Sequence, residues 1–144
     1  MTDLPALFHE LVAACIDEDG VWPHQMITRH GDRLELGALA LPPGGVMAHL
    51  RRTILGGADE LIYGMDRYTK PGQSTEFTDC IAGGWYRRAV GWRIGVINYR
   101  NEPRIVRAWD WSNVWWTNAV AHELRQILPD FRFADPLDAV VGHA

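Results

Sequence analysis

The sequence predicts an α+β fold: a single domain with a mainly antiparallel sheet, built from an N-terminal hairpin and a three-strand meander, with three helices packed on one face. Three observations lead there. The 144 residues suit one domain, 1–144, with a core of its own. Segments with apolar residues at helical spacing flank segments that alternate with period two. The connections between successive strand-like runs are too short for crossover helices, which excludes a βαβ array.

The elements follow in order. LPALFHELVAACIDEDG (residues 4–20) reads as a helix: Leu4, Phe8, Leu11 and Cys15 recur at helical spacing, and Leu7 and Val12 widen the stripe. Thr2 or Asp3 caps it, Pro5 suits its first turn and Gly20 stops it. In MITRHGDRLELGALAL, His30-Gly31-Asp32 is a turn between two strands. LPPGG breaks the strand, and VMAHLRRTIL forms a short helix with Val46, Met47, Leu50 and Ile54 inward, ended by Gly56-Gly57. ELIYGMDRYT is a strand. CIAGGWYRR and WRIGVINY form a hairpin across Ala89-Val90-Gly91, and RNEP turns the chain into RIVRAWDW. A last long helix runs from about Asn113 to Leu128, with Ser112 or Asp110 as its cap and Pro129 as its stop. Phe131 and Phe133 tie the tail back to the body.

Composition narrows the function classes. Hydrophobic residues at 47% and charged residues at 22% are ordinary for a globular domain. A net charge of −4 argues against a nucleic-acid binder that needs many phosphate contacts. No apolar run reaches the length of a membrane span and no secretory leader pattern opens the chain, so a reducing cytoplasm is the expected compartment. The two cysteines, Cys15 and Cys80, make no disulfide framework. Thirteen arginines stand against a single lysine, Lys70. Arginine-favouring codons of a GC-rich bacterial or phage genome explain that bias; avoidance of a lysine-directed modification is the sharper alternative.

Motif chemistry is sparse. Cys80 would need a neighbouring base to form thiolate, with His49 and His122 as candidates and Asp66 or Asp110 to orient one of them. His122-Glu123 begins a metalloprotease HExxH, but Gln126 stands where the second histidine belongs. The other histidines show no ligand spacing, so neither metal nor cofactor is expected. LPPGGVMAHLRR lacks both phosphate-loop signatures. The segment DRYTKPGQSTEFTD (residues 66–79) is long for a connection inside a compact domain, and Arg67, Lys70, Gln73 and Glu76 make it a candidate contact loop.

RAWDWSNVWWTNAV (residues 107–120) holds four of the seven tryptophans. Trp109 and Trp111 share one strand face, with Ile105 and Arg107 on it, while Trp116, Val120, Leu124 and Ile127 make the helix stripe. Four indoles exceed what one core corner holds, so Trp111 or Trp115 is expected to reach the surface beside Arg107. Arg87, Arg88, Arg93, Arg100, Arg104 and Arg107 form a basic series that strand alternation would divide between two faces. The expected function is a binding or accessory protein acting on a protein partner, of the inhibitor, immunity or regulatory-subunit type. The alternative is a small hydrolase or transferase built on the Cys80 set near the 66–80 segment.

Overall fold

The computed structural model describes residues 2–39, 45–68, 77 and 79–141. In chain order the elements are α1 (Leu4–Asp19), β1 (Gln25–His30), β2 (Arg33–Ala38), α2 (Gly45–Leu55), β3 (Glu60–Tyr68), β4 (Asp79–Arg87), β5 (Gly91–Asn101), β6 (Arg104–Asp110), α3 (Val114–Ile127) and α4 (Pro136–Val141). The fold is α+β: six antiparallel strands in the order β2-β1-β3-β4-β5-β6.

Local rules account for most boundaries. Asp3 accepts a hydrogen bond from the Ala6 N–H and caps α1; Gly20, at φ 72°, ends it in the left-handed region where a side chain is disfavoured. Gly31-Asp32 closes the β1–β2 hairpin, with His30 opposite Arg33. α3 is capped by Asn113, whose side chain accepts from the Trp116 N–H. The predicted alternatives fail because Asp110 is already used: its carboxylate accepts from both the backbone N–H and the hydroxyl of Ser112, which fixes the turn before the cap.

Three sequence expectations need correction. The meander has four strands, β3 through β6, and the hairpin joins it through β1 against β3. The helices lie on both faces of the sheet. Leu4, Phe8, Val12 and Ile16 of α1 pack on Ile27, Ile62, Ile81 and Ile97. Leu50 of α2 and Trp116, Val120 and Leu124 of α3 pack on Met26, Leu61, Tyr63, Ala82, Ile94 and Val96. Both alternating positions of the central strands β3, β4 and β5 are therefore buried over much of their length, as a sheet covered on two sides requires. The buried stripe of α1 is also rotated from the one expected, since Leu11 and Cys15 only flank the core.

The face under α1 depends on glycine. Gly64, Gly83 and Gly95 stand opposite one another across β3, β4 and β5. A methyl group at Gly83 would overlap the Tyr63 carbonyl, one at Gly64 would press on Ile81 and Phe8, and one at Gly95 would come within 2.7 Å of the Trp111 ring. Rings rest at the two ends of the row, Phe8 at Gly64 and Trp109 with Trp111 at Gly95. Gly84 does the same for the opposite face, where Trp92 lies. Gly83→Ala is expected to cost about 3 kcal/mol or more, because the backbone itself is the obstacle and no rotamer relieves it; urea unfolding measures it, and a loss below 1 kcal/mol would show that the β3–β4 approach can relax.

Candidate functional site

α1 packs against β3 and β6, and farther along the same sheet face Trp85 and Trp111 are half-buried and Arg93 is exposed. That face carries a chain of aromatic contacts. Trp22 meets Phe8 edge-on at 5.1 Å, Phe8 meets Trp109 at 5.6 Å, Trp109 stacks on Trp111 at 4.6 Å and 12°, and Trp111 reaches Trp85 at 6.3 Å. The indole N–H groups of the buried end are tied down: Trp22 donates to the Gly64 carbonyl at 2.7 Å and Trp109 to the Pro5 carbonyl at 2.9 Å. The open end is roofed by cations. The Arg87 guanidinium lies 4.1 Å from the Trp85 ring centre and that of Arg93 lies 4.6 Å from Trp111. Such contacts are worth about 0.5–1 kcal/mol at exposed sites and more where desolvated.

One carboxylate anchors this end. Glu60 is 4% exposed. It accepts from the Trp85 indole N–H at 2.6 Å and from Arg29 Nε at 2.8 Å. Both its oxygens are thereby used, which lets a buried charge persist. Leu34 and Leu36 of β2, at 36% and 56% exposure, lie opposite Arg29 and Ile27 and extend the surface to the sheet edge.

The predicted binding residues divide. Trp111 belongs to this face and is half-buried. Trp115 is 44% exposed, as expected of one indole in the corner, but sits on α3 edge-on to Trp116. Arg67 lies in β3 rather than a loop, 3.8 Å from Glu123 and 5.8 Å from the Trp116 ring, on the α3 side. Arg107 does not share the Trp109 face: a register shift between Ile97 and Tyr99 breaks the alternation, so Val106 packs beside Trp109's cluster while Arg107 lies over Phe77 at 5.1 Å. Ile105 is displaced from that face by the same shift. Lys70, Gln73 and Glu76 lie outside the described residues.

The basic series splits as alternation requires. Arg87 and Arg93 join the tryptophans, Arg100 lies over Phe77, Arg104 donates to the Asp17 carbonyl, and Arg88 pairs with Asp59 at 3.4 Å. Sequence reasoning missed Trp85, Glu60 and Arg29. A signal for Trp85 existed: counting back from the 88–90 turn places Trp85 opposite Arg93 and on the same strand face as Arg87.

The candidate catalytic set is spread through the molecule. Cys80 is buried in the α2/α3-side core. Asp66 points the other way, where it accepts from the Tyr99 hydroxyl at 2.7 Å. Neighbouring register positions, Arg67 opposite Cys80 and Asp66 opposite Ile81, put these two on opposite sides of the sheet. His49 is half-buried on α2 and lines a shallow cavity against β1 and β2; His122 is exposed on α3. Cys15 and Cys80 form no disulfide, and burial, then Asp19 and Glu18, push the Cys15 thiol up. Among the described residues no group of three or more histidine, cysteine or acidic side chains is placed to hold a metal, and no helix is long and apolar enough to cross a membrane.

Asp66 is the perturbed carboxyl of the α1 side. Burial pushes it above its ordinary value near 3.8, with Asp79 adding to the rise; the Tyr99 hydrogen bond and His24 act in the other direction. Its own backbone N–H donates to His24 Nε2 at 3.1 Å.

No protein-family model, curated protein or solved structure matches the chain.

Two measurements follow. Glu60→Ala is expected to destabilise by about 3 kcal/mol, since Arg29 and the Trp85 indole lose their acceptor together, with Glu60→Gln milder because one acceptor oxygen stays. Denaturant midpoints decide it, and equal losses for the two variants would contradict the role of the charge. The raised Asp66 carboxyl binds its proton more tightly folded than unfolded, so stability drains away as pH rises from about 3.8 through the folded value. Asp66→Asn, which keeps an acceptor for Tyr99, should match the parent at low pH and gain on it as pH rises; a gain independent of pH in urea titrations would remove Asp66 as the source.

Proposed function

We propose that the protein is a small binding or accessory protein that engages a protein partner through the face formed by Trp85, Trp111, Arg87 and Arg93, in the manner of an inhibitor, immunity protein or regulatory subunit. The observation that carries the reading is the stacking of guanidinium groups on a tryptophan chain at the half-buried end of that sheet face. Tryptophan and arginine are the side chains that dominate interface energetics. Of the acidic groups near them, Glu60 is already engaged by Arg29 and Trp85, and Asp138 lies close enough to Arg93 to interact with it, while Arg93 itself stays exposed. The complementary partner is an acidic segment with apolar side chains, the first meeting Arg87 and Arg93 and the second meeting Leu34 and Leu36.

Nucleobases are the poorer fit. A single strand gains affinity by stacking on free aromatic faces. Trp111 has Trp109 on one contact and Arg93 on another, and Trp85 is covered by Arg87. The overall charge of −4 points the same way.

The test uses the tagged protein and an Arg93→Glu variant, exposed enough to leave the fold alone. A partner captured in stoichiometric amount by the parent is purified and its affinity measured for both proteins and for Trp115→Ala. The reading expects Arg93→Glu to weaken binding at least about tenfold, Trp115→Ala to leave it nearly unchanged, and added salt to slow association. Equal affinities for parent and Arg93→Glu would move the contact elsewhere.

A further inference from the structure

On the opposite side of the sheet a cleft of about 730 Å³ opens between the end of α2, the β4–β5 turn and the segment after α3. Its volume falls in the range of small-molecule sites, roughly 300–1,000 Å³. Its walls are Ile54 and Leu55 of α2, Tyr86 and Trp92 of the meander, and Leu128 and Phe131 beyond α3. Three of these are rings: Tyr86 and Trp92 stand 5.3 Å apart at 45°, and Trp92 lies within 26° of parallel to Phe131 at 6.4 Å. The floor is buried, with Trp92 at 1% exposure, while Leu55 at the mouth is 70% exposed.

The cleft is held open by backbone. The Trp92 N–H donates to the Arg132 carbonyl at 2.9 Å, and the Ala134 N–H donates to the Trp92 carbonyl at 2.8 Å. These bonds clamp the 131–134 segment onto β5, so the wall is preformed. Arg125 backs the outside of that wall over Phe131 and Phe133.

The polar groups in the lining choose the ligand's charge. Arg51 and Arg132 enter from two different walls, and neither makes an ion pair among the described residues; Asp130 supplies one opposing charge. Tyr86, half-buried in the lining, adds a phenol to the same wall. We propose that this cleft binds a small aromatic anion, its ring between Leu55 at the mouth and the half-buried Tyr86 and Phe131, and its anionic group between Arg51 and Arg132. Guanidinium groups suit a carboxylate or sulfonate by geometry as well as charge.

Two probes test it: 8-anilinonaphthalene-1-sulfonate, an aromatic anion, and N-phenyl-1-naphthylamine, its uncharged counterpart. The folded parent should bind the sulfonate saturably at one site. Amide shifts in a ¹H–¹⁵N spectrum should then move at Gly91, Trp92, Leu128 and Arg132. Arg51→Glu should weaken the sulfonate at least about fivefold and leave the uncharged probe within about twofold. Leu55→Glu, also on the surface, should weaken both probes. Arg93→Glu, on the other side of the sheet, should alter neither. Absence of saturable sulfonate binding, unchanged affinity in both Arg51→Glu and Leu55→Glu, or loss in Arg93→Glu alone overturns the proposal. The probes do not involve the partner-binding reading, so either can fail without the other.

Discussion

The close approach of β3, β4 and β5 at Gly64, Gly83 and Gly95 is the constraint on which the rest of the structure depends. Removing three side chains from one row leaves a trough in a sheet face that is otherwise tiled by isoleucine. Phe8, Trp109 and Trp111 use that space. Their contacts with Trp22 and Trp85 join α1, the β6 end and the centre of the meander into one aromatic assembly. Packing of this kind is unforgiving, since interiors are filled to crystal-like density and a methyl group has nowhere to go.

That assembly also explains why the two sides of the sheet differ. Below, α2 and α3 together with the post-α3 segment cover the meander, Trp92 of β5 included, with aliphatic stripes and the rings of Trp116 and Phe133. Above, one helix has to do the same work, and the tryptophans complete the cover where α1 does not reach. Indoles at such a margin keep one edge wet, and the guanidinium groups of Arg87 and Arg93 lie on them where an apolar side chain would otherwise be needed. The same atoms thus serve stability and present the surface offered to a partner.

Much of this architecture was legible in the residues. The hairpin at Gly31-Asp32, the inward positions of α2 and the Trp116–Ile127 stripe of α3 follow from period and turn chemistry alone. What escaped has physical reasons. Helices on two faces are signalled by strands apolar at both alternating positions, as in Leu61-Ile62-Tyr63, but an apolar run does not say which helix covers which side. The displacement of Arg107 comes from a register shift that no local pattern announces. The scattering of Cys80, Asp66, His49 and His122 reflects parity and distance along a folded chain, which residue types by themselves do not encode. The Glu60 anchor joins residues 29, 60 and 85, and only strand order brings those together.

The near-parallel stack of Trp109 on Trp111 has an optical consequence. Two indoles held at 4.6 Å and 12° have coupled transition dipoles, and their excited states are shared rather than separate. Circular dichroism in the indole bands therefore carries a contribution from this pair, which a Trp115→Phe variant separates from that of Trp115 with Trp116, equally 4.6 Å apart. The molecule contains its own gauge of whether the β6 end sits on the glycine trough, readable without any label.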